Sequence, residues 1–221
     1  IQCYERCIEL DEDFTCGQGI VATLSGFYQT KGLTVALENE DSCKVYLDLA
    51  WELFQKLFQK TTKLTTFVEL SFALLLTRLD RYEEAVEHFY KVIEGMDDMS
   101  VLTFGNVDKP LLDFYLRSEI EALGGSVEVP ILVLAVYKLI LTLMKLNQVE
   151  EAQKFALFLE SVVSAEKYNL EIDVELTTYS MAGYAYMIIG NKQKAAEIFV
   201  SVLEMNPGHP PVTEALESLC M

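Results

Sequence analysis

Few residues of the sequence have the types and spacing that catalysis or metal binding requires. Cys3 and Cys7 lie one helical turn apart and could share a metal ion, but no nearby His or second Cys pair completes four ligands. His88 and His209 are far apart in the sequence, and neither has a nucleophile and an acid at a spacing that predicts a catalytic triad. We therefore interpret Cys3 and Cys7 as core residues, and His88 as a solvated side chain on an amphipathic helix.

Paired glycines and paired acids also fall short of a cofactor or catalytic site. Gly17 and Gly19 lack the third glycine and the preceding strand of a dinucleotide site, and no Gly-Lys-Ser/Thr phosphate loop occurs. Glu83-Glu84 and Glu150-Glu151 each open a predicted helix, where carboxylates favourably face the positive helix end. The sequence therefore predicts a protein that is not an enzyme, with no catalytic residue, no cofactor and no metal.

The net charge of −17 argues against two classes of partner. The 221 residues contain 34 Asp and Glu but only 17 Lys and Arg. Contact with nucleic-acid phosphates or with an anionic membrane surface requires a surplus of basic residues, so neither partner is predicted. Solubility of a chain in which 51% of the residues are hydrophobic is the simpler explanation of the charge, and a basic partner is the alternative.

Cysteine usage and hydrophobicity indicate the compartment. Five cysteines without a Cys-x-x-Cys pair predict no disulfide framework, which favours an intracellular, cytoplasmic location, with the nucleus as the alternative. The apolar run 129–144 is shorter than the ~20 residues that cross a bilayer, and Lys138 interrupts it, so we expect no membrane span. The sequence opens with Ile1 rather than Met, and we expect it to be an excerpt of a longer chain.

Apolar residues recur three and four positions apart along the chain, which predicts helices and no strand. Asp41 or Ser42 is predicted to cap one helix, while Pro110 near the start and Gly124 past the end are predicted to bound another. Links of two or three residues between such helices predict antiparallel hairpins. The predicted helices cover about 1–10, 19–30, 41–60, 64–79, 82–94, 108–124, 129–146, 149–164, 174–189, 192–205 and 212–220.

The segment 176–207 carries small and aromatic residues at intervals that steric demands explain. Gly183 and Ala195 fit where two helices approach too closely for larger side chains. Gly190 tolerates a positive φ at a turn, and Pro207 stops the second helix. The pattern resembles the tetratricopeptide repeat, a 34-residue helix–turn–helix unit, at Tyr179, Ala182, Gly183, Tyr186, Gly190, Ala195, Phe199 and Pro207.

Other segments fit the same unit less fully. Ala50 and Phe54 lie 35 residues before Ala85 and Phe89, which suggests two further second helices of such a unit. In 133–164 the fit departs, because Ile140 and Ala156 stand where glycine and an aromatic residue are usual. The candidate units are 1–11 (partial), 19–62, 66–97, 133–164 and 176–207, with 212–220 as a capping helix or the first helix of a further repeat.

The resemblance implies an all-α fold, an α-solenoid of antiparallel helix hairpins that forms a superhelix with irregular repeats. We expect one domain over residues 1–221, although 99–132 do not fit the repeat. An ordinary helical bundle, whose core happens to place Ala and aromatic residues at helical spacing, is the alternative.

The resemblance also implies a groove, since the first helices of tetratricopeptide repeats line a concave face. The Lys and Asn pattern with which chaperone-binding members hold a C-terminal carboxylate is missing here. An apolar, Met-rich lining implies an apolar peptide or an amphipathic helix as the ligand, and burial of the same side chains against one another is the alternative. The groove candidates are Phe67, Leu70, Leu74, Arg78, Tyr137, Leu141, Met144, Lys145, Tyr184 and Met187.

These expectations favour a scaffold or adaptor that acts as a subunit of a multi-protein complex and binds protein partners. One alternative is a regulatory or helical domain of an enzyme whose catalytic residues lie outside this chain. Another is a purely structural segment of a longer solenoid.

Overall fold

The computed structural model describes residues 18, 21–26, 28–29, 31, 40–61, 64–95, 100–164 and 171–220. The chain divides into two compact units, residues 1–95 and residues 96–221. Cys3, Cys7, Gly17, Gly19 and the predicted partial unit 1–11 lie outside the described residues. In the first unit the helices are α1 (Glu40–Phe58), α2 (Thr66–Arg78) and α3 (Tyr82–Glu94), preceded by helical residues at 21–26 and 28–29.

The second unit combines helix hairpins with a small sheet. Strands β1 (Val101–Gly105) and β2 (Ser126–Pro130) enclose a 3-10 helix (Asn106–Leu111) and α4 (Phe114–Ala122). The helices that follow are α5 (Ile131–Lys145), α6 (Val149–Val163), α7 (Ile172–Ile188), α8 (Lys192–Met205) and α9 (Pro210–Cys220).

The core of the first unit is built around Phe72 on α2. The centroid of its ring lies 4.7 Å from that of Phe54 and 4.8 Å from that of Phe58, both on α1. On the other side, the ring of His88 on α3 lies edge-on at 4.7 Å. Because all three helices contribute a ring to this cluster, they share one aromatic core.

The same turn closes the three hairpins α2–α3, α5–α6 and α7–α8. One residue of each turn has a positive φ: 56° at Asp80, 58° at Asn147 and 85° at Gly190. The next residue donates its N–H to a carbonyl five positions back, which is the longer bond of a Schellman turn. These bonds are Arg81 N to Leu76 O (3.0 Å), Gln148 N to Leu143 O (2.8 Å) and Asn191 N to Tyr186 O (2.9 Å).

Within a hairpin, a small residue on one helix faces a large side chain on the other helix. A Cβ atom added to Gly183 on α7 would lie 2.6 Å from Cδ1 of Phe199 on α8, and closer still to Cε1. Only glycine therefore lets the ring lie against α7, as the sequence predicts. The equivalent positions of α2–α3 hold Ala73 and Phe89, both fully buried.

In the hairpin α5–α6 the large side chain is on the first helix and the small one is on the second helix. Ile140 on α5 stands where α7 has glycine, and Ala156 on α6 stands where α8 has phenylalanine. Both side chains are buried, and α5 packs along α6. The predicted all-α fold of repeated helix hairpins is therefore confirmed for the described residues, including this divergent unit.

The prediction that the chain has no strand is wrong at 101–105 and 126–130. These segments form an antiparallel pair in which Leu102 lies opposite Val129 and Phe104 opposite Val127. In β2 the two valines are buried while Ser126 and Glu128 are exposed, which is the period-2 pattern of a strand packed on one side. Five residues were too few for this alternation to stand out among helical periods.

Several predicted helix starts also move, and two of these shifts have a clear local cause. The helix predicted from 129 begins at Ile131, because the residue before Pro130 is confined to extended conformations. The helix predicted near Pro110 begins at Phe114 instead, since Asp113 is the residue whose carboxylate accepts the N–H of Leu116 (3.2 Å). Pro110 lies in the 3-10 helix.

Helix α9 packs against α8 and α4. Val212 and Ala215 are buried, and Leu216 is half-buried. Glu214 and Glu217 are exposed. The role of 212–220 as a cap remains a prediction.

In the described part of the chain, no helix has the length and hydrophobicity to cross a membrane.

Candidate protein-binding surface

Four of the groove candidates lie on α2, in the first unit. Phe67 is exposed (37%), whereas Leu70 is fully buried. Leu74 and Arg78 are half-buried, and the guanidinium of Arg78 donates to the side-chain oxygen of Gln29. The apolar surface that α2 offers to a partner is therefore limited to Phe67 and Leu74.

The six candidates of the second unit separate into an interior and a surface group. Tyr137 on α5 and Tyr184 on α7 are fully buried. Burial raises the pKa of Tyr137 well above its usual value, and the nearby Asp113 carboxylate raises it further. The other candidates reach the surface: Leu141, Met144 and Met187 are half-buried, and Lys145 is exposed.

Helix α4 covers the face of α5 and α7 that the repeat register predicts to line a groove. The ring of Tyr115 on α4 stacks on Tyr184, with centroids 4.3 Å apart and planes inclined by 19°. The hydroxyl of Tyr184 donates to Glu119 Oε1 at 2.9 Å, also on α4. Near Tyr184 the protein's own helix α4 thus occupies the space in which a ligand was expected.

Glu119 connects α4 to both neighbouring elements. Its second oxygen, Oε2, lies 2.7 Å from Nε2 of His209, which immediately precedes α9. The side chains of Glu119 and His209 are 0% and 1% exposed. Burial and the Glu119 carboxylate raise the pKa of Tyr184. Because the three polar groups satisfy one another out of contact with solvent, their role is to fix α4 and α9 against α7.

A charged pair attaches the start of α4 to α5. Lys138 Nζ lies 2.7 Å from Asp113 Oδ2, and both side chains are largely buried. Burial acts to raise the pKa of Asp113, but the Lys138 ammonium and the N–H of Leu116 outweigh it and hold that pKa below its usual value. The lysine that interrupts the apolar run of α5 is thus the anchor for the segment that covers it.

Glu160 on α6 joins the two hairpins of the second unit. Its Oε2 accepts the hydroxyl of Tyr186 on α7 at 2.7 Å, and its Oε1 lies 2.7 Å from Lys194 Nζ on α8. Partial burial opposes ionisation of Glu160, but these two donors lower its pKa. The contact holds neighbouring repeat units in register.

The prediction that His88 is solvated is wrong. Its Nδ1 contacts the Glu69 carboxylate on α2, and its side chain is only 15% exposed. Together with the edge-on contact to Phe72, this places the imidazole inside the first unit. Its surroundings are those of a packed side chain that bridges α2 and α3.

The paired acids at helix starts behave as surface residues. Arg81 Nε donates to Glu84 Oε1 at 2.6 Å, and Lys154 Nζ lies 2.8 Å from Glu151 Oε2. Among the described residues, no group of three or more His, Cys, Asp and Glu side chains could hold a metal ion.

Sequence reasoning missed the contact between Glu119 and His209, which are 90 residues apart. A signal was present in α4, where Glu119 stands on the apolar stripe formed by Leu116, Ile120 and Leu123. A carboxylate on such a stripe must find a buried donor or remain unpaired at high cost. That argument demands a partner for Glu119, but it does not say which residue it is.

Residues 176–209 match the family model of the tetratricopeptide repeat, a segment that includes α7 from Leu176 onward, all of α8 and the turn that follows. The resemblance of this segment to the family is thereby confirmed. No sequence among curated proteins matches the chain. A tetratricopeptide repeat supports a role in protein–protein interaction.

Proposed function

We propose that the chain is a protein-interaction scaffold, a subunit of a multi-protein complex that binds an apolar segment or an amphipathic helix of a partner. The surface proposed for this contact is the open strip, defined as Leu141 and Met144 on α5 with Met187 on α7. In the second unit, these side chains are the half-buried members of the predicted groove.

The open strip combines features that suit an amphipathic partner. Helices α5 and α7 pack against each other, and Met144 and Met187 hold equivalent positions 43 residues apart in the repeat. Methionine side chains are flexible and polarisable, so they adapt to apolar partners of different shape. The exposed Lys145 lies at the end of the strip, where it can pair with an acidic residue beside the apolar face of a bound helix.

Affinity capture with a matched pair of variants tests this surface. Met144→Glu combined with Met187→Glu places two charges in the open strip. Val200→Glu, on an exposed part of α8, is the control. The captured proteins, identified by mass spectrometry, should include a set that falls at least about tenfold with the double variant, because desolvating a charge opposes apolar contact. The control should retain that set.

Two further measurements make the result decisive. Far-UV circular dichroism should show the same helicity for both variants and the unaltered chain, so that loss of capture reports the surface and not unfolding. If every captured protein is retained by the double variant, the open strip is not the binding surface. Phe67→Glu then asks whether the exposed ring on α2 carries the contact.

A further inference from the structure

At Val101 and Thr103, the outer edge of β1 consists of backbone groups that no described residue pairs with. Ile131 donates its N–H to Ser100 O at 2.8 Å, so this opposite pair is of the hydrogen-bonded kind. Such pairs alternate along an antiparallel ladder, and Leu102 is therefore bonded to β2 while Val101 and Thr103 are not. The N–H and C=O groups of Val101 and Thr103 point away from β2, and they have no partner among the described residues.

This edge lacks the features by which proteins block strand edges. Lysine, proline and bulges discourage pairing with another chain, but Val101–Gly105 contains neither residue and pairs with β2 in unbroken register. Val101 is 41% exposed. At the far end, Gly105 donates its N–H to Asp108 Oδ2 at 2.8 Å, which closes the edge there. The open part is thus centred on Val101 and Thr103.

The inner face of the hairpin calls for apolar residues on an added strand. Val127 and Val129 on β2 are buried on this face. Leu102 and Phe104 on β1 continue it outward but are only half-buried. A third strand beside β1 would cover these two side chains if every second residue were apolar.

The outer face of the hairpin is acidic, so basic side chains on an added strand would be favourable there. Thr103 and Glu128 are neighbours there, with Thr103 Oγ1 3.3 Å from Glu128 Oε1. Glu128 also lines a pocket of about 220 Å³ with Glu171 and Asp173. No Lys or Arg of the described residues forms an ion pair with any of these three carboxylates. A strand beside β1 lies about 10 Å from β2, so a long basic side chain reaches Glu128 across the small Thr103.

We propose that the β1 edge binds an extended, basic segment of a partner protein, which adds to the sheet as a third strand. Backbone hydrogen bonds to Val101 and Thr103 provide affinity, and alternating apolar and basic side chains provide specificity. This surface is separate from the open strip on α5 and α7, and it needs no part of the interaction proposed for that strip.

The test measures binding of fluorescein-labelled heptapeptides to the whole 221-residue chain by fluorescence anisotropy. The basic probe alternates Lys and Val, and the control probe alternates Glu and Val. The basic peptide should bind at least about tenfold more tightly, and added salt should reduce the difference because it screens the carboxylates. Equal affinities would refute the proposed chemistry, and absence of binding would refute the site.

Substitutions at Thr103 separate backbone pairing from other contacts. Thr103→Pro removes an outward N–H but leaves the β1–β2 ladder intact, since Pro130 already occupies the same kind of position on β2. It should lower affinity for the basic peptide at least about tenfold, because it removes a backbone bond and blocks the approach of a strand. Thr103→Val keeps the N–H and should bind like the unaltered chain. Equal binding by both variants would overturn strand addition.

Two further measurements keep the proposal falsifiable if Thr103→Pro perturbs folding. Glu171→Gln combined with Asp173→Asn alters exposed side chains only and should weaken the basic peptide by about threefold to tenfold. An unchanged affinity would exclude the acidic pocket as part of the site. Analytical ultracentrifugation asks whether β1 pairs with a second copy. A dimer that Thr103→Pro abolishes would assign the edge to self-association and overturn the proposal.

Discussion

The hairpins α5–α6 and α7–α8 have the same turn, but the large side chain that fills the space between the helices comes from the first helix in α5–α6 and from the second helix in α7–α8. In α7–α8 the first helix contributes no side chain at Gly183, and the second contributes the ring of Phe199. In α5–α6 the first helix contributes Ile140 and the second only the methyl group of Ala156, with both side chains buried. The repeat therefore requires a filled space between the two helices of a hairpin, and either helix can supply the side chain that fills it.

The two hairpins keep the same turn although their residues at these two positions differ. The family model matches 176–209, where the small and large residues stand in the usual order. The α5–α6 hairpin has the same Schellman turn at Asn147, yet its volumes are exchanged. The residues at these two positions therefore differ between the hairpins, while the turn and the packing of the two helices are kept.

Removing the large member of a pair should have the largest effect. Phe199→Ala leaves a cavity, because Gly183 on the facing helix has no side chain to expand into it. We expect the free energy of unfolding of the second unit to fall by about 3–5 kcal/mol. Urea unfolding followed by circular dichroism, with hydrogen exchange of peptides from α7 and α8, measures the loss.

A smaller deletion in the other hairpin is Ile140→Val, which removes one methyl group and should cost about 0.5–1.5 kcal/mol. Faster exchange in α7 and α8 with Phe199→Ala, and in α5 and α6 with Ile140→Val, would locate each effect in its own hairpin. An equally small cost for Phe199→Ala would show that this space is not closely packed.

Exchanging the volumes of α7–α8 tests the comparison directly. Gly183→Ile alone forces a side chain into the ring of Phe199 and should cost about 1–3 kcal/mol or more. Combined with Phe199→Ala, it copies the arrangement of Ile140 and Ala156. We expect the double variant to be more stable than the sum of the single changes by about 1–3 kcal/mol. Additive costs would mean that the two hairpins are not interchangeable solutions.

Much of the helical fold could be predicted because period and caps are local properties. The helix predicted over 82–94 has the observed bounds, and Gly190 has the positive φ that its turn requires. The strands could not be predicted, because whether Val127 and Val129 belong to a sheet depends on pairing with Phe104 and Leu102, which lie 23 and 27 positions earlier. The pattern of neighbouring residues in the sequence does not show which distant segment a strand pairs with.

For the candidate surface, the sequence predicted which side chains share a face of the repeat, but not which of them are exposed. The repeat pattern placed Tyr137 and Tyr184 together with Met144 and Met187 on one face of two helices. It did not show that 113–122, outside the repeat, would cover the first pair and leave the second half-buried. Coverage by an inserted segment is a tertiary property, and the polar contacts that stabilise it join residues up to 90 positions apart.

The two hairpins also differ in how α4 attaches to them, and pH should reveal it. The α5 contact is the Asp113–Lys138 pair, whereas the α7 contact runs through the hydroxyl of Tyr184. The pKa of Asp113 is lowered in the folded state, so its charge stabilises the fold above the unfolded Asp pKa of about 3.9. That stabilisation is lost as the pH falls through the lower folded pKa.

Asp113→Asn isolates this contribution, since asparagine still caps α4. At pH 7 the free energy of unfolding of the variant should be about 1–3 kcal/mol lower than that of the unaltered chain, because Lys138 is left without its counter-charge. The difference from the unaltered chain should shrink between pH 5 and pH 2. A difference independent of pH would show that the charge of Asp113 does not stabilise the contact.

The smallest expected effect concerns the turns, where the residue with a positive φ differs between the two hairpins. Gly190 holds a φ of 85° that any Cβ atom strains, while Asn147 holds 58°, a value that asparagine tolerates. Gly190→Ala should cost about 1–2 kcal/mol, and Asn147→Gly should change the free energy of unfolding by less than about 1 kcal/mol. Thermal unfolding of the two variants measures both. A larger cost for Asn147→Gly would mean that the asparagine side chain, and not its backbone angle, stabilises the α5–α6 turn.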